Sequence, residues 1–177
     1  MIIEFDNFTI AQIQEKDAWS ICDLMLANED RFKAYFPITL AQNTNPTLAK
    51  LFAQKKVKQF QNNEEYLFIL KENKTHKAIG LIYIKALDWN HKKGELAYCL
   101  DYNFKGQNLM SKAVKYLNVY AFAELGLASL QIIVYKKNKA SIKVATNNNF
   151  TWQKTLPKEY TPPNSAPLDM ELYEKHK

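Results

Sequence analysis

Arginine is nearly absent from this chain. Arg31 is its only one, so the net charge of +6 comes almost wholly from lysine. Recognition of nucleic acid leans on arginine for bidentate contacts to guanine and phosphate, and dispersed lysines read more simply as a solvated surface. A lysine-rich RNA- or ribosome-binding protein without chemistry is thus the least favoured class. Cysteine is scarce as well: Cys22 and Cys99 sit in patterns of a core helix and a core strand, where buried free thiols are expected and a disulfide or a nucleophile is the alternative. His76, His91 and His176 are far apart with no ligand-like spacing, which argues against a metal site. No apolar run approaches the roughly 20 residues that span a bilayer. The start, Met1-Ile2-Ile3-Glu4-Phe5-Asp6, has neither the basic residues nor the apolar run of a signal peptide. The expectation is a cytoplasmic protein with no membrane contact.

What the chain does have is material for a core. Its 177 residues are 47% hydrophobic and 13% aromatic, which excludes disorder. A domain near 150 residues buries roughly 70% of its unfolded surface. No repeat and no linker divides the sequence, so a single domain over residues 1–177 is expected. Phe8 to Ile13 alternates as a first strand. Asp17 is placed to cap a helix with Trp19, Ile21, Cys22, Leu24, Met25 and Leu26 on its apolar side. Residues 28–45 read as a polar loop around Arg31-Phe32-Lys33-Ala34-Tyr35-Phe36-Pro37, and Pro46 or Thr47 opens a second helix. Three strands follow, Glu65 to Lys71, Ala78 to Leu87 and Gly94 to Leu100, with hairpin turns between them. The middle one is nearly continuous apolar sequence and should be central. A helix from about Asn108 to Leu125 stops at Gly126. Ser129 to Tyr135 is a strand, Lys139 to Asn148 a short helix, and Phe150 to Leu156 a strand. A proline-rich excursion over residues 157–167 leads to a last strand, Leu168 to Tyr173.

The segment Phe104-Lys105-Gly106-Gln107-Asn108-Leu109-Met110-Ser111-Lys112-Ala113 is the most informative. A short loop runs straight into a helix start, where unpaired N–H donors and a partial positive charge bind anions without a dedicated side chain. A nucleotide-like cosubstrate with a pyrophosphate is the expected ligand. The cluster Lys136-Lys137-Asn138-Lys139, with Lys143 a turn later, either meets that anion or is an ordinary solvated turn.

These motifs resemble the GNAT superfamily of acetyl-CoA-dependent N-acetyltransferases over nearly the whole chain. The family's Q/R-x-x-G-x-G/A loop corresponds to Lys105-Gly106-Gln107-Asn108-Leu109-Met110, its N-x-x-S to Asn138-Lys139-Ala140-Ser141, and its G-F pair to Asn149-Phe150. The N-x-x-S element and Tyr35-Phe36-Pro37 look like the RimJ/RimL type, which acetylates N-termini of ribosomal proteins. Two glycines of the family pattern are Asn108 and Asn149 here. Both positions favour a left-handed backbone, and asparagine is the next-best residue for it. The resemblance implies a mixed α/β fold: a mostly antiparallel sheet of six to seven strands with helices on both faces. That sheet splays between its fourth and fifth strands, Gly94 to Leu100 and Ser129 to Tyr135.

The same resemblance implies acetyl-CoA as cosubstrate, with no metal. Its pyrophosphate would lie on Lys105, Gly106, Gln107, Asn108, Leu109 and Met110, while Asn138 would bond its pantetheine, cap the helix that follows, or do both. A backbone N–H near Leu100 would polarise the thioester. Glu95 is the favoured base, with a solvent-facing strand glutamate as the plain alternative and His91 and Glu64 as outsiders. The tyrosine that many members use as acid, seven residues after the asparagine, is Ala145 here. Ser141 is the substitute acid, or else an ordinary first-turn serine. Tyr35, Phe36 and Trp89 are candidate walls for the acceptor. That acceptor is expected to be a protein N-terminal α-amine, possibly ribosomal in origin, with a small amine or an antibiotic as the alternative and a catalytically weak acyl-CoA-binding module as the competing class. The enzyme would act as a monomer or homodimer.

Overall fold

Asp6-Asn7 reverses the chain between two apolar runs, Asp6 adopting a left-handed φ of 49°. In the computed structural model, which describes residues 2–177, this turn joins β1 (Ile2–Phe5) to β2 (Phe8–Gln12) as an antiparallel hairpin. The hairpin strand β1 raises the sheet to eight strands, against six to seven expected. The strand order is β1-β2-β3-β4-β5-β6-β8-β7, where β3 is Tyr66–Glu72, β4 Ala78–Asp88, β5 Lys93–Leu100, β6 Ser129–Tyr135, β7 Thr151–Tyr160 and β8 Leu168–His176. The fold is a mixed, mostly antiparallel α/β sheet with helices around it. β4 lies centrally in the order, as its apolar sequence predicts, and Ala78 to Ile84 are all buried.

The chain divides into two compact units, with β4 and β5 contributing residues to each. The first comprises the chain up to Tyr83 together with Tyr98–Lys105. Its β2 pairs antiparallel with β3 from Phe8↔Glu72 to Gln12↔Phe68. Helix α1 (Ala18–Ala27) buries Ile21, Cys22, Leu24 and Met25. Helix α4 (Pro46–Gln61) starts at Pro46 behind Asn45, whose side chain accepts the Leu48 N–H, and buries Ala49, Phe52, Ala53 and Phe60. Phe60 sets its ring edge-on to Tyr66 at 4.8 Å and to Phe68 at 5.4 Å.

Three local expectations are corrected here. Asp17 does not cap α1. It ends a short 3₁₀ turn, Glu15–Asp17, where its carboxylate accepts the Gln14 N–H and takes Lys71 at 2.5 Å. A buried carboxylate needs a cation more than a helix start needs a cap. The segment expected as a loop over residues 28–45 contains two short helices, α2 (Glu29–Tyr35) and α3 (Pro37–Ala41). Phe32 and Leu40, buried from these helices, supply the apolar anchoring that a polar loop would not need.

The second unit comprises Ile84–Ala97 and Gly106–Lys177. Helix α5 (Leu109–Ala123) buries Leu109, Met110, Ala113, Val114, Leu117 and Ala121, the expected stripe, with Tyr120 only half-buried. Gly126 at φ +67° ends it, and the Leu127 N–H reaches back to Ala121 O at 3.0 Å. Helix α6 (Lys139–Asn147) follows β6. β6 and β8 pair antiparallel over seven positions, from Ser129↔His176 to Tyr135↔Met170. The third correction is β7, which runs on through Pro157 to Tyr160 rather than stopping at Leu156. Register shifts against β8 lie between Leu156 and Tyr160. A bulged edge strand tolerates a proline because its outer N–H has no ladder partner to lose.

The parallel ladder between β5 and β6 covers Lys93↔Ser129, Gly94↔Leu130 and Glu95↔Gln131, three positions of an eight-residue and a seven-residue strand. This is the splay expected of the fourth and fifth strands, renumbered by the extra β1.

Both cysteines are buried free thiols, as expected. Burial pushes the Cys99 thiol up to about 12, against smaller opposing effects of the Leu81 backbone and the Arg31 charge. Cys22 is also raised, by burial and then by Asp23. The folded protein should therefore resist alkylation by iodoacetamide at pH 8 and react only when denatured. The unfolded Cys99 ionises near 9 and the folded one near 12. Above pH 9 the unfolded state thus holds fewer protons, and this contribution to stability declines as the pH rises from 9 towards 12. Thiol titration with and without denaturant, beside melting curves across that range, measures both.

Candidate active site

The loop before α5 is built by two left-handed residues. Gly106 has φ +81° and Asn108 φ +58°. Asn149, at the second substituted glycine position, has φ +61°. The asparagines thus keep the permissive backbone that glycine would supply. Residues 106–108 are exposed, whereas Leu109 and Met110 turn into the core.

The start of α5 differs from those of α4 and α6, which also have asparagine at the N-cap. Asn45 Oδ1 accepts the Leu48 N–H at 3.0 Å and Asn138 Oδ1 accepts the Ser141 N–H at 3.1 Å, so α4 and α6 are capped. Asn108, held left-handed, makes no side-chain cap. The first turn of α5 carries no acidic residue, and its first main-chain bond is Lys112 N–H to Asn108 O at 3.1 Å. The amides of Leu109, Met110 and Ser111 precede that bond and point out of the helix start, where an anion is favoured by both donors and dipole.

One polar network, centred on Asn148, fixes this helix in the second unit. Asn148, buried at the end of α6, donates Nδ2 to Ser111 O at 3.0 Å, to Ser111 Oγ at 3.3 Å and to Val144 O at 2.9 Å. Lys175 Nζ donates to Asn148 O at 3.0 Å, and burial holds the Lys175 pKa below its ordinary value. Asn148 thereby ties the first turn of α5 to the end of α6, the helix that begins with Asn138 and Ser141. The sequence reading did not single out Asn148, and nothing in its spacing separates it from its neighbours Asn147 and Asn149. Lys136, Lys137, Lys139 and Lys143 are all exposed at the other end of α6.

Glu95 sits on β5 as a half-buried carboxylate, paired with Lys85 Nζ at 3.1 Å. It is therefore not the solvent-facing glutamate of the plain alternative. Ser141 and Asn138 are brought together in the α6 cap, while Glu95 has its own partner on β4. His91 is exposed in the turn after β4, with Nδ1 2.6 Å from Asp88 Oδ2 and its N–H donating to Asp88 Oδ1. Those bonds hold the Asp88 carboxyl below the usual range. Glu64 accepts from Asn62 at 3.0 Å in an exposed turn. Trp89 is 43% exposed beside His91.

In the first unit, Tyr35 is 42% exposed at the end of α2, and Phe36 sets its ring edge-on to Phe32 at 6.2 Å. Lys105 is exposed, with Nζ 3.2 Å from Tyr102 Oη and 4.3 Å from the centre of that ring. The Asp101 N–H donates to Ile79 O at 2.8 Å. A planar trans peptide then turns the Leu100 carbonyl to the side opposite β4, and the Leu100 N–H shares that side in an extended strand. Arg31, which composition alone marked only as a rarity, donates Nη1 to that carbonyl at 3.3 Å. Among the described residues no helix is long and apolar enough to cross a membrane, and no cluster of three or more metal-ligating side chains occurs.

Known proteins share this fold. The model of the acetyltransferase (GNAT) domain matches residues 7–151. The uncharacterized N-acetyltransferase YoaA of Bacillus subtilis (strain 168) is 22% identical over 172 residues, which cover 97% of this chain and 94% of that protein. The ribosomal-protein-S5-alanine acetyltransferase from Vibrio fischeri superposes with a TM-score of 0.93 at 21% identity, covering 99% of this chain and 96% of the other. RimL, a ribosomal L7/L12 α-N-protein acetyltransferase solved with coenzyme A, gives 0.90 at 18% identity, covering 99% and 98%. With its left-handed loop, uncapped helix start and interrupted ladder, the chain belongs to the acetyltransferase (GNAT) family, and is an acyltransferase that draws its acetyl group from acetyl-CoA.

Proposed function

We propose that this chain, acting as one domain over residues 1–177, moves the acetyl group of acetyl-CoA onto a protein N-terminal α-amine by direct attack. The observation that carries the coenzyme half of this reading is the start of α5, with its bare amides behind a left-handed Asn108. The coenzyme A bound in RimL supports that half, and the ribosomal-protein substrates named for both solved relatives support the acceptor half.

In this reading the pyrophosphate lies on the amides of Gly106, Gln107, Asn108, Leu109 and Met110, with Lys105 adding a nearby charge. The Leu100 N–H polarises the thioester carbonyl, and a single donor of that kind lowers a barrier by about 3 kcal/mol. The amine nitrogen attacks the thioester carbon, the C–N bond forms, and the C–S bond breaks. Glu95, through water, takes the proton from nitrogen. Ser141 Oγ returns a proton to the departing thiolate, and Asn138 orients Ser141 by capping α6. An α-amine has a pKa near 8, whereas a lysine amine has one of about 10.4. The α-amine therefore asks less of a base than a lysine amine does. Tyr35 and Phe36 on one unit, and Trp89 on the other, are each proposed to contact the acceptor.

Thiol release with a panel of N-terminal peptides and polyamines tests the acceptor. Peptides with free α-amines should turn over fastest, and faster polyamine turnover would overturn the assignment. Glu95→Gln and Ser141→Ala should each lower kcat by roughly 10²-fold; unchanged rates reject those two roles and leave the fold untouched. Asn108 separates backbone from side chain. Asn108→Gly should bind acetyl-CoA at least as well as the parent, since glycine keeps φ +58° and removes bulk. Asn108→Ala should cost about 1–2 kcal/mol, shared between loop stability and affinity, because alanine resists the left-handed region. Isothermal titration of both variants reads the difference.

A further inference from the structure

Helix α4 shows solvent a face whose two halves differ in chemistry. Its sequence holds Lys50, Lys55, Lys56 and Lys58 and no acidic residue. Lys56 pairs with Glu65 and is largely buried. Lys50, Lys55 and Lys58 are exposed and make no ion pair among the described residues. An ordinary solvated helix interleaves charges of both signs, as α2 of the same unit does where Lys33 pairs with Glu29 and Asp30. Exposed with these lysines are Leu48 and Leu51, at 37% and 57%. Leu48, Leu51, Lys55 and Lys58 follow one another at helical spacing, which puts them on one side of α4. The helix dipole favours Lys58 near the C-terminal end, but it gives no reason for Lys50 near the other end or for two leucines in water.

The flank of the same helix adds a concave surface. Val57 and Gln61 form one wall of an open groove of about 560 Å³, and Lys16, Lys71 and Asn73 contribute to the others. Stripe and groove both lie in the first unit, on the helix that follows α2 and α3 in the chain. Tyr35 and Phe36, proposed to contact the acceptor, stand at the end of α2. A protein acceptor brings only its N-terminus to the thioester and must seat its remaining mass elsewhere. Binding that remote mass supplies affinity that a short peptide lacks. The occupant that fits this face has apolar side chains for Leu48 and Leu51 and carboxylates for Lys55 and Lys58. Nucleic acid fits less well, since phosphates leave the leucines wet and α4 has no arginine. A bilayer also fits less well, because Phe52 and Phe60, the largest apolar residues of α4, are buried in the core.

Resting on the acetyl-transfer reading above, we propose that the exposed face of α4 is a docking surface for the body of the acceptor protein, and that it selects a segment carrying apolar residues and carboxylates beyond the acetylated N-terminus.

The test uses the best peptide of the acceptor panel in three forms. One is the peptide alone. The second carries, through a flexible linker, a helix-forming extension of leucine and glutamate, and the third has lysine in place of that glutamate. In the parent, the acidic extension should lower KM about tenfold or more with kcat unchanged, and added salt should reduce the gain. The basic extension should give no gain. In Lys55→Glu/Lys58→Glu the preference should reverse, with the basic extension favoured and the acidic one not. A merely structural role for these lysines would not produce that exchange. Leu51→Ser should weaken the gain from the acidic extension. Lys154→Glu/Lys158→Glu, the same change of charge on the exposed strand β7, should match the parent. A gain from the acidic extension that survives Lys55→Glu/Lys58→Glu would overturn the proposal. Tighter binding of oligouridylate or of phosphatidylglycerol vesicles than of the acidic extension would overturn it as well. If no form of the peptide accepts acetyl, both readings fall; if all three accept it at the same KM in the parent, only this one does.

Discussion

Helix α5 can turn its first amides towards an anion only because the chain enters the left-handed region at Gly106 and again at Asn108. A right-handed residue at the second position would carry the chain into the helix along a different path. An asparagine at negative φ can fold its own oxygen back over those amides, as Asn45 (φ −157°) and Asn138 (φ −80°) do for α4 and α6. One residue type thus produces opposite outcomes at different helix starts. The left-handed φ of Asn108 leaves the helix end bare, and the N-cap conformations of Asn45 and Asn138 close theirs. At Asn108 it is the backbone handedness that carries the side chain away from the helix start.

A bare helix end is useful only if it is held still. Asn148 meets that need with a buried amide that donates to both the main chain and the hydroxyl of Ser111, and so fixes the first turn of α5 against the end of α6. The cap at the other end of α6 sets Ser141. One buried amide and one cap therefore relate the proposed phosphate loop to the proposed acid. Arg31 does comparable work in the first unit, where Asn28, Tyr102 and Leu100 surround its guanidinium. Buried amides and the single arginine act here as fixing points, while the abundant lysines stay mostly on the surface.

Much of the fold was legible because periodicity reports burial directly. The central position of β4, the apolar stripe of α5 and the full span of β6 follow from runs of apolar residues whose spacing admits one conformation. The errors have physical causes. Asp17 resembles a cap in sequence, but Lys71, distant in the chain, claims its carboxylate. The segment around Arg31 looks polar, yet one buried aromatic and one buried leucine are enough to organise two short helices there. Pro157 looks like a strand terminator, and a bulge at a sheet edge absorbs it. β1 is four residues long, too short for alternation to declare itself before the Asp6-Asn7 turn.

Local backbone preference and apolar spacing act between near neighbours, so the sequence by itself determined the order of the main strands and helices, the left-handed loop at Gly106 and Asn108, and the kind of anion that loop suits. Which carboxylate pairs with which cation depends on residues brought close from far along the chain. Only the tertiary structure could therefore decide that Glu95 is held by Lys85, that Asn148 braces α5, and that Arg31 covers the Leu100 carbonyl.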